Sequence, residues 1–239
     1  MNFPKILVGT MACGEGDYEK CMHAIMSQKE VQIEHVLIEN MLEVDAHVSL
    51  WENFEKRKSS FDLIVKVDAD TVLIRPTILK EIYEFMSSNS RITGMQIYIH
   101  DYFTDGLIGG LNCFKPCVTF STPESSLYCD RVDSGHDIVI KGNEVPSHLT
   151  PAARHCHYAN NRQAFHFGLH RSLKGQVDTI EKVRDAWLAH RDDLRAYVLL
   201  GVMASSEFED HKGFSYNQSK FIESFEMVKD NFDDLVGDL

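Results

Sequence analysis

The chain has 239 residues, of which 44% are hydrophobic and 25% are charged, so it can bury a core of ordinary size and has a globular composition. The net charge of −12 argues against a nucleic-acid backbone or an anionic membrane as the main partner, because both require a basic surface. Six cysteines without a pair of CxxC units, and an N terminus with only a short apolar run, predict a soluble, cytoplasmic protein with free thiols and no transmembrane segment.

The first hundred residues alternate between short apolar strands and amphipathic helices. Strands are predicted over residues 5–8, 31–39 and 61–67, and helices over residues 18–28 and 47–59. This order is typical of a parallel sheet whose strands are joined by crossover helices. The sequence therefore predicts an α/β fold in which this half of the chain binds a nucleotide.

The third predicted strand, in the segment FDLIVKVDADTVLI, ends in two aspartates. Because strand side chains alternate in direction, Lys66, Asp68 and Asp70 share one face if the extended geometry continues that far. Open α/β sheets bind ligands at the carboxyl ends of their strands, and two carboxylates there attract a divalent cation that carries phosphates. The alternative is an ordinary pair of turn aspartates at a solvated strand end.

The middle of the chain is predicted to shape a pocket. A helix over residues 77–88 and a strand over residues 91–100 precede a segment with several glycines and prolines, 101–123, which predicts short strands and loops. A further helix is expected over residues 135–141. Five histidines then follow, each either structural or a candidate metal ligand: His148, His155, His157, His166 and His170.

The last third of the chain is predicted to be helical, over residues 178–190, 192–205 and about 218–236. The last of these helices carries an apolar stripe opposite acidic residues. We expect residues 175–239 to form a C-terminal helical extension that packs on a domain of residues 1–174. A dimer contact, or a dock for an acceptor protein, is the alternative use of that stripe.

Three segments of the chain resemble a metal-dependent glycosyltransferase of the GT-A fold. The segment CMHAIMSQKEVQIEHVLIEN looks like the helix-Ser-Gln-strand unit of inverting family 2 enzymes, with Ser27 and Gln28 at the helix end. The segment WENFEKRKSSFDLIVKVDADTVL looks like the approach to the family's DXD motif, and AFHFGLHRSLKG is similar to a His-Phe-x-Gly segment of glycogenin-type relatives. The resemblance covers about residues 4–174 and extends to small transferases of bacteria and large DNA viruses.

The resemblance implies a mostly parallel, Rossmann-like sheet flanked by helices, and an enzyme that moves a sugar from a nucleotide-sugar donor, a UDP-sugar, to a glycan or other hydroxyl acceptor with inversion. It implies Mn²⁺ or Mg²⁺ as cofactor, because an ion held by oxygen ligands neutralises the leaving diphosphate. On this basis Asp70 and Asp68 hold the metal, and Asp68 also contacts the ribose. His166 is the implied third ligand and His170 the alternative to it.

The resemblance also implies a set of donor-binding residues. Thr10 and Met11 match the backbone that meets the nucleobase, and Glu39 stands where the family has an aspartate that contacts uridine. Lys66 either meets a phosphate or balances the two aspartates. Gly110 and Asn112 would let the backbone approach the donor sugar, and the resemblance assigns Arg171 and Lys174 to the diphosphate.

Inversion requires a general base that deprotonates the acceptor hydroxyl. Family 2 enzymes carry this base as an acid that opens the helix beyond the pocket, which here implies Asp133 or Asp137, with Asp137 favoured. The alternative is that both acids only complement a helix dipole.

Two other functions fit parts of the same sequence. The signature of a haloacid-dehalogenase-type phosphatase, D-x-D-x-[TV]-[LV], is matched from Asp68 to Leu73, but that family normally carries it on the first strand of the sheet. The chain is alternatively a non-catalytic nucleotide-sugar-binding module that has the fold and lacks the base.

Overall fold

The structure is a computed structural model that describes residues 3–123, 126–129, 136–208, 212–237 and 239. Its strands are β1 (Lys5–Ala12), β2 (Gln32–Glu39), β3 (Leu63–Lys66), β4 (Thr71–Leu73), β5 (Ile92–Asp101), β6 (Gly106–Phe114), β7 (Ile138–Lys141) and β8 (Ala153–His155). Its helices are α1 (Tyr18–Met26), α2 (Glu43–Arg57), α3 (Ile78–Ser88), α4 (Asn161–Leu173), α5 (Val177–His190), α6 (Asp193–Ala204), α7 (Ser219–Asp230) and α8 (Phe232–Val236). None of these helices is long and apolar enough to cross a bilayer.

The strands form one mixed sheet in the order β2-β1-β3-β6-β5-β8-β4, with β7 paired to β5. Strand β1 is parallel to both β2 and β3, as crossover helices require. Strand β6 is antiparallel to β3 and to β5, so β5 runs in the same direction as β3. The predicted α/β fold class is confirmed, and the three strands predicted in the first part of the chain are parallel to one another, while β7 and β8 add further parallel pairs with β5.

The alternation of side chains along β1 and β3 divides the sheet's core between its two faces. Ile6 and Val8 lie in the cluster formed with α1 and α3, whereas Leu7 lies in the cluster formed with α2. Helix α2 packs directly against β1 at Gly9, where a Cβ atom would overlap the side chain of Leu50. This contact fixes α2 beside the carboxyl end of β1.

The C-terminal helices share a second core with α4. Phe165 of α4 packs with Tyr197 of α6 and Phe225 of α7 in one cluster of buried residues. Helices α4 and α6 approach so closely that a Cβ atom on Gly168 would overlap the carbonyl oxygen of Val198. Helix α4, which carries part of the site described below, is therefore positioned by the helices that follow it.

Three predicted elements differ from the structure. The helix expected over residues 135–141 is wrong, because residues 138–141 form β7 beside β5. The helix expected over residues 218–236 is interrupted at Asn231, between α7 and α8. The strand expected over residues 61–67 ends at Lys66, and a turn closed by the N–H of Thr71 donating to the carbonyl of Asp68 at 2.9 Å leads into β4.

Candidate functional site

The carboxyl ends of β1, β3 and β5 face a cavity of about 250 Å³. The sheet side of the cavity is lined by Met11, Lys66, Asp68, Asp70, Gly110 and Asn112. The helical side is lined by Glu43, His47, His166, His170, Arg171 and Lys174. The cavity therefore brings together, from distant parts of the chain, most of the residues that the sequence predicts to form the site.

Asp68 and Asp70 both reach this cavity from the turn that follows β3. The carboxylate of Asp68 is 40% exposed and accepts a hydrogen bond from Lys66 Nζ at 2.5 Å. Lys66 itself is buried, and its pairing with Asp68 offsets the cost of burying a polar group in the wall of the cavity. This contact fits the charge-balancing role predicted for Lys66.

Asp70 lies against two neighbouring residues of the β8 end. Its Oδ2 is 3.4 Å from Nε2 of His155 and accepts a hydrogen bond from Sγ of Cys156 at 3.5 Å. The backbone holds the three together, since Thr71 is paired with His155 across β4 and β8 and the N–H of Cys156 donates to the carbonyl of Asp70 at 2.9 Å. Oxygen, nitrogen and sulfur atoms of these residues lie within 4.8 Å of one another, close enough to surround one metal ion.

His155 is oriented from behind by Asp101, the last residue of β5. Nδ1 of His155 donates to Oδ1 of Asp101 at 2.7 Å, so Nε2 points toward Asp70. Asp101 is fully buried, and its Oδ2 accepts hydrogen bonds from the N–H and hydroxyl of Thr104 at 2.7 and 2.8 Å. A carboxylate behind an imidazole is the usual support of a metal-binding histidine.

The acid–base state of this group follows from its charges. Burial raises the pKa of Asp70, but the charge and hydrogen bond of His155 outweigh burial and lower it to about 2. Burial lowers the pKa of His155, but electrostatic interaction with Cys156 and Asp70 and the hydrogen bonds to Asp101 and Asp70 raise it well above its usual range. The site thus holds a positive charge next to Asp70, and the donor atoms fit a divalent ion in place of that proton.

His166, the third ligand implied by the resemblance, lines the cavity but lies outside this group. It is buried, its ring stacks on Tyr216 with centroids 4.1 Å apart, and Nε2 has no hydrogen-bond partner among the described residues. Burial lowers its pKa to about 3, so it is neutral. Strand β8 instead carries His155 to Asp70, and the assignment of His166 as a ligand stays a prediction.

The predicted donor-binding residues divide between the cavity and its surroundings. Met11, Gly110 and Asn112 line the cavity, and Asn112 Oδ1 accepts from Gln96 Nε2 at 3.3 Å. Thr10 is fully buried and its hydroxyl lies 3.0 Å from Nε2 of His35. Glu39 is exposed at the end of β2, and its neighbour Ile38 lines the cavity instead, because adjacent strand side chains point in opposite directions.

The two predicted cations at the C-terminal end of α4, Arg171 and the following Lys174, also line the cavity. Arg171 donates from Nη1 to Gln176 Oε1 at 2.7 Å, and its guanidinium lies 4.6 Å from the ring of Phe167. Lys174 lies over the ring of Tyr128, with Nζ 5.6 Å from the centroid. The cavity therefore presents cations on α4 opposite the carboxylates that follow β3.

The predicted base Asp137 does not reach the cavity formed by the described residues. It is exposed at the start of β7, where its N–H donates to Thr93 Oγ1 at 2.9 Å. Strand β7 is parallel to β5, so Asp137 lies at the amino-terminal ends of these strands, whereas Asp70 follows the carboxyl end of β3. The sequence predicts a helix here, whereas the structure has β7, and this difference accounts for the position of Asp137. Asp133 lies outside the described residues.

The sequence reasoning missed Glu15, in the loop after β1. Its side chain lines the cavity and accepts a hydrogen bond from the N–H of Cys13 at 2.6 Å. Burial, reinforced by the charges of Asp70 and Asp68, raises its pKa to about 7. The sequence does show an acid in the glycine-containing loop after the first strand. The spacing of the loop residues does not indicate whether the side chain of Glu15 faces the cavity or solvent.

No family model matches the sequence, and no curated protein matches it. One solved structure that resembles the chain is the mannosyltransferase PcManGT from Pyrobaculum calidifontis in complex with GDP-Man and Mn²⁺, which is 10% identical, covers 95% of this chain and 87% of that chain, and has a TM-score of 0.42. Another is A197 from STIV, which is 13% identical and has a TM-score of 0.34; the match covers 46% of this chain and less than two thirds of that chain, 64%. Likenesses of this size assign neither a fold nor a function.

Proposed function

We propose that the protein is a metal-dependent glycosyltransferase that moves a sugar from a nucleotide-sugar donor, a UDP-sugar, to the hydroxyl of a glycan or other acceptor. The observation that carries this proposal is the meeting of Asp68, Asp70 and the oriented His155 with cations of α4 across one cavity. Such a site suits a diphosphate that binds through a metal ion and leaves as an anion.

Asp70, His155 and Asp68 are the residues that would hold the ion, Mn²⁺ or Mg²⁺, and Cys156 lies within reach of it. Bound there, the ion would neutralise negative charge that develops on the leaving diphosphate. Asp101 acts by fixing the ring of His155 and does not touch the ion. Lys66 pairs with Asp68 and holds its carboxylate in place.

The cations and the strand ends would position the donor. Arg171 and Lys174 face the cavity from the last turn and end of α4, where they would meet phosphate oxygens. Met11, which lines the cavity, would contact the nucleobase. Gly110 has no side chain and would leave room for the donor sugar beside Asn112. These contacts orient the anomeric carbon toward the acceptor.

Transfer with inversion needs a base beside the acceptor hydroxyl. Glu15 supports this role because it lines the cavity and its pKa of about 7 allows it to take a proton near neutral pH. Asp133 keeps its place as the second candidate. Asp137 is not proposed as the base, because it lies at the amino-terminal end of β7, away from the cavity at the carboxyl ends of the strands.

The test is to incubate the protein with Mn²⁺ and a panel of UDP- and GDP-sugars and to follow nucleotide release. We expect release that stops in Asp70→Asn and continues in Asp137→Asn, which removes a carboxylate outside the cavity. Release of phosphate from simple phosphomonoesters would instead support the phosphatase. Binding without turnover in the presence of hydroxyl acceptors would support the non-catalytic module.

A further inference from the structure

A second group of metal-binding side chains lies between α2 and α4 and shares no residue with the Asp70 group. Its centre is Glu43 and His47 of α2 with Cys129, whose ligand atoms lie within 4.8 Å of one another, and His170 of α4 lies beside Glu43. We propose that these four residues form a second metal site that takes Zn²⁺ or a similar transition-metal ion. This site is independent of the donor-binding metal proposed above.

The distances within the group match the size of a zinc site. Cys129 Sγ lies 3.1 Å from Nδ1 of His47 and 3.7 Å from Oε1 of Glu43. His170 Nε2 lies 3.8 Å from the same Glu43 oxygen. Zinc bonds of about 2.0–2.3 Å in a tetrahedron place the ligand atoms about 3.3–3.8 Å apart, so small movements close Glu43, His47 and Cys129 around an ion. His170, which already lies beside Glu43, would complete the tetrahedron by moving toward His47 and Cys129.

The local structure explains how these residues meet. Glu43 and His47 are four residues apart, so both project from one face of α2. Cys129 is brought to that face by a hydrogen bond from Trp51 Nε1 to its carbonyl oxygen at 3.0 Å. The ring of His170 stacks on Phe214 with centroids 5.6 Å apart and planes inclined by 22°, which fixes its orientation.

The donor set selects the class of ion. A thiolate, two imidazoles and a carboxylate suit Zn²⁺ or Co²⁺, whereas Mg²⁺ and Ca²⁺ prefer oxygen ligands alone. The thiolate of Cys129 and the carboxylate of Glu43 together balance a divalent charge, so the site is compatible with Arg171 and Lys174 nearby on α4. His47 Nδ1 also lies 2.8 Å from the carbonyl oxygen of Glu43, and binding through Nδ1 replaces that contact with the ion.

Four protein ligands leave no open position for a substrate, which is typical of a structural zinc site. The ligands come from α2, from the segment around Cys129 and from α4. An ion held there would join these three parts of the cavity wall. Its removal is therefore expected to lower thermal stability without changing the ligands of the Asp70 group.

The test uses Co²⁺ as a spectroscopic substitute, added to the full chain after treatment with EDTA and a phosphine reductant. We expect the visible bands of tetrahedral cobalt and a sulfur-to-cobalt charge-transfer band in the near ultraviolet, displaced by Zn²⁺ but not by excess Mg²⁺. The bands should persist in Cys156→Ser, which alters the other group, and in Cys117→Ser, which alters an exposed thiol. They should be lost in Cys129→Ser and in His170→Gln, with folding checked by circular dichroism.

A charge-transfer band that survives Cys129→Ser and disappears in Cys156→Ser would assign the thiolate to the Asp70 group and overturn the proposal. Absence of tetrahedral bands in the unmodified protein would also overturn it. X-ray absorption of the zinc-loaded Cys156→Ser variant, which removes the sulfur of the Asp70 group, gives a measurement that does not depend on altering the second group. One sulfur with nitrogen and oxygen neighbours is expected, and a sphere of oxygen atoms alone would contradict the site.

Discussion

Nδ1 of His155 lies 2.7 Å from Oδ1 of Asp101, a carboxylate that is fully buried at the end of β5. Thr104 donates two hydrogen bonds to the other oxygen of Asp101, so the carboxylate has a single orientation. The arrangement fixes the orientation of the ring and presents Nε2 to Asp70. Its consequences for metal binding can be measured directly.

Replacing Asp101 by asparagine should weaken metal binding at the Asp70 group by about 10–100-fold, the usual effect of losing the support of a ligand histidine. The amide of asparagine can present an N–H to Nδ1, which favours the tautomer with a proton on Nε2. Calorimetric titration of EDTA-treated protein with Mn²⁺ measures the change. Asp105→Asn alters an exposed carboxylate in the turn after β5 and serves as the matched control. Equal affinity in both variants would remove Asp101 from the site.

Replacing His155 by glutamine should weaken Mn²⁺ binding more than the same change at His166. Nε2 of His155 is 3.4 Å from Asp70, whereas His166 lies stacked on Tyr216 outside that group. Each variant replaces one imidazole that lines the cavity with the same amide side chain, so each is the control for the other. The measurement is again calorimetric, and a larger loss in His166→Gln would restore the ligand implied by the family resemblance.

The difference between these two histidines shows what the sequence could and could not predict. Local patterns sufficed for the first three strands, for the helices between them and for the two aspartates, because apolar periodicity and chain order are properties of neighbouring residues. His155 reaches Asp70 through the pairing of β8 with β4, two strands of three residues each. So short a segment has no readable periodicity, and its partner lies more than eighty residues away.

The same limit explains why the sequence predicts a helix at Asp137 and does not reveal the packing role of Gly168. A tetrapeptide of apolar residues with one lysine, IVIK, fits a strand or a helix equally well, and only its pairing with β5 decides. Gly168 follows Phe167 in the segment that resembles a metal-binding motif, but the structure gives it a packing reason. It lies where the backbone of α6 crosses α4, which sequence periodicity does not report.

Replacing Gly168 by alanine should lower the free energy of unfolding by about 3 kcal/mol, because the added Cβ overlaps the backbone carbonyl of Val198 and the helices must separate. Chemical denaturation measures this difference. Gly106→Ala, where the nearest atom to an added Cβ is 3.6 Å away, is the matched control. The separation also moves α4, so donor affinity should fall in Gly168→Ala in the same preparation. Unchanged stability would mean that α6 does not pack on α4 as described.

The stability of the protein should depend on pH through Asp17, the buried residue that precedes α1. Its Oδ2 accepts a hydrogen bond from the N–H of Tyr158 at 3.1 Å, and Oδ1 has no partner among the described residues. Burial, reinforced by the charge of Asp70, raises its pKa from 3.8 to about 6. The folded state therefore holds this proton more tightly than the unfolded state does, and the associated stability is present below pH 3.8 and lost as the pH rises through about 6.

Asp17→Asn keeps an oxygen for the N–H of Tyr158 and removes the charge. At pH 7.5 the variant should be more stable than the unmodified protein by about 1–2 kcal/mol. This is less than the full free energy of a pKa difference of about two units, because solvent screens part of the charge. Each kcal/mol should raise the melting temperature by about 2–4 °C. The advantage should shrink toward pH 4, where Asp17 is already neutral. Thermal melts in EDTA across this range measure it, with Glu19→Gln, an exposed carboxylate of α1, as the control. A constant difference between pH 4 and 7.5 would show that the charge of Asp17 is not its cause.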